Sequence, residues 1–81
     1  MDLYEFSFLP EEEKEEIVRT KAVFLASRSA GNWLFDLYQL EGFYIEFFYL
    51  TNDHGVVKSR CFQSTEEIKP YLGPMQVDLN L

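Results

Sequence analysis

Cys61 and His54 are the only thiol and the only imidazole in a chain of 81 residues, and such a pair could form a nucleophile–base dyad. Their placement argues against it. They lie on one strand and its leading turn, and at ~3.3 Å per strand residue the separation is roughly 20 Å. That is far beyond hydrogen-bond reach. His54, in Asn52-Asp53-His54-Gly55, reads as a solvated turn residue, and Cys61 as a small core residue. Asp53 and His54 have no spaced His or Cys to complete a coordination sphere, so no metal site is expected. The carboxylates from Glu11 to Glu16 attract cations only loosely, because a helix face does not fix their geometry. With neither a Gly-rich phosphate loop nor a G-x-S-x-G elbow, no cofactor and no enzymatic activity are expected.

Glu46 is the remaining chemical candidate. It interrupts the most apolar stretch of the chain, Phe43 to Leu50. A carboxylate there either pairs with Arg28 or Lys21, or lines a pocket beside Tyr44, Tyr38 and Arg60 for a small polar ligand.

The elements that position these groups follow from periodicity and turn chemistry. Residues 1–9 form an apolar arm. Pro10 suits a first helical turn, and Glu11 to Glu16 suit the positive end of a helix dipole. Ile17, Val18, Ala22, Phe24, Leu25 and Ser29 recur at three- and four-residue spacing, and Gly31 offers a stop, so the pattern predicts one long helix from Pro10 to Ser29. Three strands are expected next: Trp33–Leu40 and Phe43–Thr51, joined by the hairpin turn Glu41-Gly42, then Val56–Gln63 after a looser turn. The Ser64-x-x-Glu67 spacing is that of a capping box and starts a short helix, which Gly73-Pro74 ends; residues 73–81 are a tail. The expected fold is a single α+β domain over residues 1–81, in the order α-β-β-β-α: a long N-terminal helix on a three-stranded antiparallel meander, then a short helix.

Register sorts the side chains. Pairing Leu40 with Phe43 sets Phe35 against Phe48, Leu37 against Glu46 and Trp33 against Leu50. Pairing Thr51 with Val56 sets Phe48 against Ser59 and Glu46 against Cys61. Both faces then come out apolar. The long helix is expected on the face with Trp33 and Phe48, where small Ser59 and Cys61 leave room. The other face would expose Tyr38, Phe43, Ile45, Phe47 and Tyr49, with Asp36 and Arg60 at its rim, as an interaction surface. The alternative is that the N-terminal arm, the short helix and the tail fold over it.

Composition narrows the partners. Hydrophobic residues make up 47% and charged residues 26%, the balance of a soluble folding chain. Lys and Arg total 7 against 14 Asp and Glu, for a net charge of -7. Such a balance excludes nucleic acid and anionic membrane surfaces as natural partners, because both recruit clustered cations. The charge is local. Residues 1–16 hold seven acidic groups and Lys14, a net of -6, while the other 65 residues hold seven acidic and six basic groups, a net of -1. A lone cysteine, a start without a basic-then-apolar leader pattern and the lack of a long apolar run lead to the expectation of a soluble, cytoplasmic protein.

Phe24-Leu25-Ala26-Ser27-Arg28, the run from Leu37-Tyr38-Gln39-Leu40 through Glu41-Gly42-Phe43-Tyr44-Ile45-Glu46, and the stretch from Phe62-Gln63-Ser64-Thr65 to Pro70-Tyr71-Leu72 resemble a small uncharacterised bacterial protein family. The resemblance spans roughly residues 22–72 and implies no activity, cofactor or catalytic residue. The expected function is therefore that of a non-enzymatic interaction module, a homodimer through the aromatic sheet face. The alternative is an acidic inhibitor or immunity-type protein that fills a basic cleft on a partner enzyme. An enzyme acting through Glu46, Tyr44 and Arg60 is a third reading. No small-molecule ligand is legible.

Overall fold

Asp2 opens the chain's first helix with a reciprocal cap: its carboxylate accepts the Glu5 N–H at 2.8 Å, and Glu5 accepts the Asp2 N–H at 2.9 Å. The structure is a computed structural model and describes residues 1–52 and 55–72. Helix α1 spans Leu3–Ser7, and α2 spans Glu11–Lys21 behind Pro10, with Glu11, Glu12 and Glu13 in its first turn and Arg19 and Lys21 in its last. Strands β1 (Val23–Ala30), β2 (Trp33–Leu40), β3 (Phe43–Leu50) and β4 (Lys58–Phe62) form one antiparallel sheet in the order β1-β2-β3-β4. A 3-10 turn over Thr65–Ile68 leads into α3, Lys69–Leu72.

The α+β class and the antiparallel meander hold, but the long helix does not. α2 stops at Lys21, and Ala22 is already extended, with ψ at 157°. What reads as the second half of a helix is a fourth strand. The run Val23-Phe24-Leu25 fits helix and strand alike when only local spacing is considered. Pairing decides between them, because β1 and β2 are both eight residues long and hydrogen-bond along their length. Gly31, at a φ of 60°, supplies the left-handed position of the β1–β2 hairpin rather than a helix stop.

Strands β2 and β3 pair in the expected register, with Leu40 opposite Phe43, Phe35 opposite Phe48, Leu37 opposite Glu46 and Trp33 opposite Leu50. Between β3 and β4 the register is one residue away from expectation: Glu46 faces Arg60, Ile45 faces Cys61 and Phe47 faces Ser59. A two-residue turn dictates register, whereas the longer connection from Thr51 to Val57 leaves it to side-chain pairing. Because side chains alternate, that single step moves every β4 side chain to the opposite face.

The helices follow. Small Ser59 and Cys61 do make room for a helix, but on the face of Phe43, Ile45 and Phe47. Glu11 of α2 accepts a hydrogen bond from the Ser59 hydroxyl at 2.9 Å, and the Cys61 sulfur lies 4.0 Å from the Leu3 carbonyl oxygen of α1. Phe6 and Val18 from the two helices close a core with Leu40, Phe43, Ile45 and Phe47. On the opposite face Phe35, Leu37, Phe62 and Tyr71 form a second, smaller core under α3. The sheet thus lies between two helical layers.

Ser64 caps the 3-10 turn by accepting the Glu66 N–H at 3.1 Å. The reciprocal arm expected of Glu67 is absent, because that side chain is bound to Arg60. No helix among the described residues is long and apolar enough to cross a membrane. His54 and the tail at 73–81 lie outside the described residues.

Candidate functional site

The face expected to be open is closed by the chain itself. Phe43 is 1% exposed, Ile45 0% and Phe47 3%, all beneath α1 and α2. These three are core and not an interaction surface. Asp36, Tyr38 and Tyr49 share their face but stay part-exposed at its margin. Arg60 belongs to the other face entirely, as a consequence of the β4 register.

On that other face the structure joins Glu46 and Arg60 in a network centred on one buried carboxylate. The Glu46 side chain is 1% exposed. Its Oε1 accepts from Arg60 Nε at 2.7 Å, its Oε2 accepts from the Tyr71 hydroxyl, and Arg28 lies 3.7 Å from Oε2. Arg60 reaches onward to Glu67 and stacks on Phe62, its guanidinium 4.7 Å from the ring centre. Arg28 stacks on Phe35 at 4.0 Å. Pairing with Arg28 is therefore as expected, while Lys21 is exposed on α2 and makes no ion pair with Glu46 among the described residues. Tyr44 stacks on Phe62 with ring centres 5.7 Å apart. Burial alone would push the Arg60 guanidinium pKa down, but its hydrogen bonds to Glu46 and Glu67 outweigh that and raise it. Both Glu46 oxygens are engaged by the chain's own donors, which makes its carboxylate the counter-charge of the network. The sequence names Tyr71 within the stretch from Phe62 to Leu72 that carries the resemblance, and gives it no part beside Glu46. The signal was its place in the terminal helix as an aromatic residue with a polar handle, able to reach a strand carboxylate.

A second constellation lies between α2 and the sheet margin. Glu12, Glu15, Glu16 and Arg19 recur at helical spacing and form one wall of a cleft of about 430 Å³. Tyr38, Phe47 and Tyr49 form its floor, with Val18 and Val56 at the sides. Tyr38 packs edge-on against Phe47, with ring centres 5.5 Å apart. Asp36 stands beside the tyrosines and accepts the Ser27 hydroxyl at 2.6 Å. The sequence placed Tyr38, Phe47 and Tyr49 on one face but did not reveal that acidic α2 would lie over it.

Burial raises the pKa of Tyr38, with help from the Asp36 charge, and raises that of Tyr49, with help from Tyr38, Asp36 and Glu15. Tyr71 is raised by burial and then by its hydrogen bond to Glu46. In each case the folded chain holds its proton to higher pH than the unfolded chain, whose tyrosines ionise near pH 10. The stability these groups contribute is intact below about pH 10 and declines as pH rises above it. Thermal melts should accordingly weaken above about pH 10, with tyrosinate absorbance rising together with unfolding. If all the tyrosines instead titrate near their ordinary value while the melt stays unchanged, the assignment is wrong.

Cys61 is half-buried, and burial pushes its thiol pKa up against a smaller lowering by Lys14, which suits a packing role. Among the described residues no group of three His, Cys, Asp or Glu side chains converges to hold a metal ion. No protein-family model matches the chain, and no curated protein or solved structure matches it.

Open surface of another kind lies at β1. This strand is an edge of the sheet, and Val23, Phe24 and Leu25 are 61%, 54% and 42% exposed. Leu25 is the extra residue of a bulge between the Phe24–Tyr38 and Ala26–Leu37 pairs.

Proposed function

We propose that this chain is a non-enzymatic protein-interaction module that self-associates, and that the outer edge of β1 carries the association. One observation supports this reading above others: an eight-residue edge strand with three consecutive exposed apolar residues, Val23, Phe24 and Leu25. An edge strand presents unpaired N–H and C=O groups, a template for pairing with another strand. The opposite edge is guarded differently. β4 is five residues long and carries exposed Lys58, a charge of the kind that discourages edge pairing. On β1 the single cation, Arg28, is drawn inward toward Glu46. Ala26 to Ala30 would form the paired ladder of a two-fold dimer, with Val23, Phe24 and Leu25 packing beyond the bulge.

Size-exclusion chromatography with light scattering, from micromolar to millimolar chain, tests this. A dimer that becomes monomer in Phe24→Asp, with an unchanged circular dichroism spectrum, is the expected result. A wild-type chain that stays monomeric throughout, or a Phe24→Asp chain that stays dimeric, overturns it. The second reading, an acidic inhibitor of a basic partner, draws on α2, where Glu12, Glu13 and Glu15 make no ion pair among the described residues. It requires a heterologous complex that weakens steeply with salt.

A further inference from the structure

We infer that residues 75–81 pair with the outer edge of β1 in the same chain, antiparallel to it, and so compete with a second copy for that edge. The competition rests on the self-association proposed above; the pairing itself does not. Residues 75–81 lie outside the described ones. In sequence, Met75, Val77, Leu79 and Leu81 alternate strictly with Gln76, Asp78 and Asn80, the period of a half-buried strand. The run holds no Pro, Gly or Lys, the residues that blunt or weaken strand pairing.

β1 has the open edge such a strand needs. Its neighbour among the described strands is β2, and their two-residue hairpin closes on the Ala30–Trp33 pair. Hydrogen-bonded and non-hydrogen-bonded pairs alternate from there, so Ser29 and Ser27 turn their N–H and C=O groups toward the open edge. Both serines are exposed, and Val23, Phe24 and Leu25 continue the edge as exposed apolar side chains. α3 delivers the chain to this place. It packs on β1 and ends at Leu72, with the buried Tyr71 ring 5.2 Å from the Arg28 guanidinium. Gly73 and Pro74 follow, a pair that stops a helix and opens a turn. Seven extended residues then span roughly 23 Å. Two residues of β1 lie beyond Arg28 and five precede it, so the segment finds its partner by running toward Val23. Its apolar side chains then pack beside the Val23-Phe24-Leu25 run. A tethered strand acts at an effective concentration of about millimolar, so a second copy displaces it only as chain concentration approaches that range.

Amide hydrogen exchange, read by nuclear magnetic resonance on the dilute full chain, tests the pairing. The Ser27 and Ser29 N–H groups should exchange about tenfold more slowly than in a Val77→Pro/Leu79→Pro variant, which removes two donors, while β2 and β3 amides keep their rates. Val77→Asp/Leu79→Asp should produce the same loss through the side chains instead of the backbone. Equal rates in wild type and both variants overturn the pairing. Slowing that grows with chain concentration overturns it too, because a second copy then fills the edge. Light scattering reads the competition separately: the proline variant should dimerise about tenfold more tightly than wild type. Equal dimer affinities overturn the competition. If neither chain dimerises, self-association fails, and the exchange rates still decide the pairing.

Discussion

Phe47→Asp produces an unfolded chain, not a soluble monomer. Phe47 is 3% exposed between the sheet and α2, in the core that also holds Phe6, Val18, Phe43 and Ile45. Truncating a buried phenylalanine typically costs about 3–5 kcal/mol. Placing a carboxylate there adds the cost of desolvating a charge among apolar neighbours. A domain of this length has a total stability of only about 4–12 kcal/mol on the usual per-residue scale. The substitution consumes most or all of that. Far-UV circular dichroism and a urea titration are the measurements. A cooperatively folded Phe47→Asp chain would show that α2 does not cover this face in solution. Phe24→Asp is the matched control, since it places the same charge on the exposed edge strand, where the fold tolerates it.

Glu46→Ala is the second large effect, by a different mechanism. The loss is not one favourable ion pair but the creation of unpaired groups around it. The Tyr71 hydroxyl loses its acceptor, and Arg28, whose Nε is already buried without a hydrogen-bond partner, loses its counter-charge. Removing one member of a buried charge network costs about 3–5 kcal/mol, and the lower end applies here because Arg60 keeps Glu67 and partial access to water. Arg60→Met should cost less, since Glu46 then retains Arg28 and Tyr71. A double-mutant cycle between positions 46 and 60 should show coupling, because the two groups share one hydrogen bond and one pool of partners. A Glu46→Ala chain whose denaturation midpoint matches wild type would remove the network from the account of stability. It would also return Glu46 to consideration as a reactive group.

Much of the fold is legible where information is local. The Glu41-Gly42 turn places Phe43 opposite Leu40, and the two-residue loop carries that register along the whole of β2 and β3. Pro10 followed by glutamates marks the start of α2. The strands are dense in aromatic and β-branched residues. Illegibility begins where two local readings are equally good. Val23 to Ala30 matches helical spacing as well as it matches a strand, and only its partner Trp33–Leu40 breaks the tie. The site divides in the same way. Tyr38, Phe47 and Tyr49 are assigned to one face correctly, but Arg60 is placed with them and separated from Glu46 by a one-residue error in β4. A signal was present: a carboxylate amid the apolar residues of β3 needs a cation opposite, and Arg60 meets that need only in the observed register.

By itself the sequence determines an α+β chain, a central hairpin in defined register, an acidity concentrated in the first 16 residues and an apolar character on both sheet faces. Each of these depends on neighbours a few residues apart. The tertiary structure alone decides that the sheet has four strands, that α1 and α2 lie over Phe43, Ile45 and Phe47, and that the glutamates of α2 come to stand above Tyr38 and Tyr49. The physical reason is the period of two in a strand. Sequence spacing identifies which side chains share a face, but which face receives the helix depends on a loop-closed register and on small residues arriving from β4. That one long-range choice turns an expected aromatic surface into core and moves the open surface to the β1 edge and the α2 cleft.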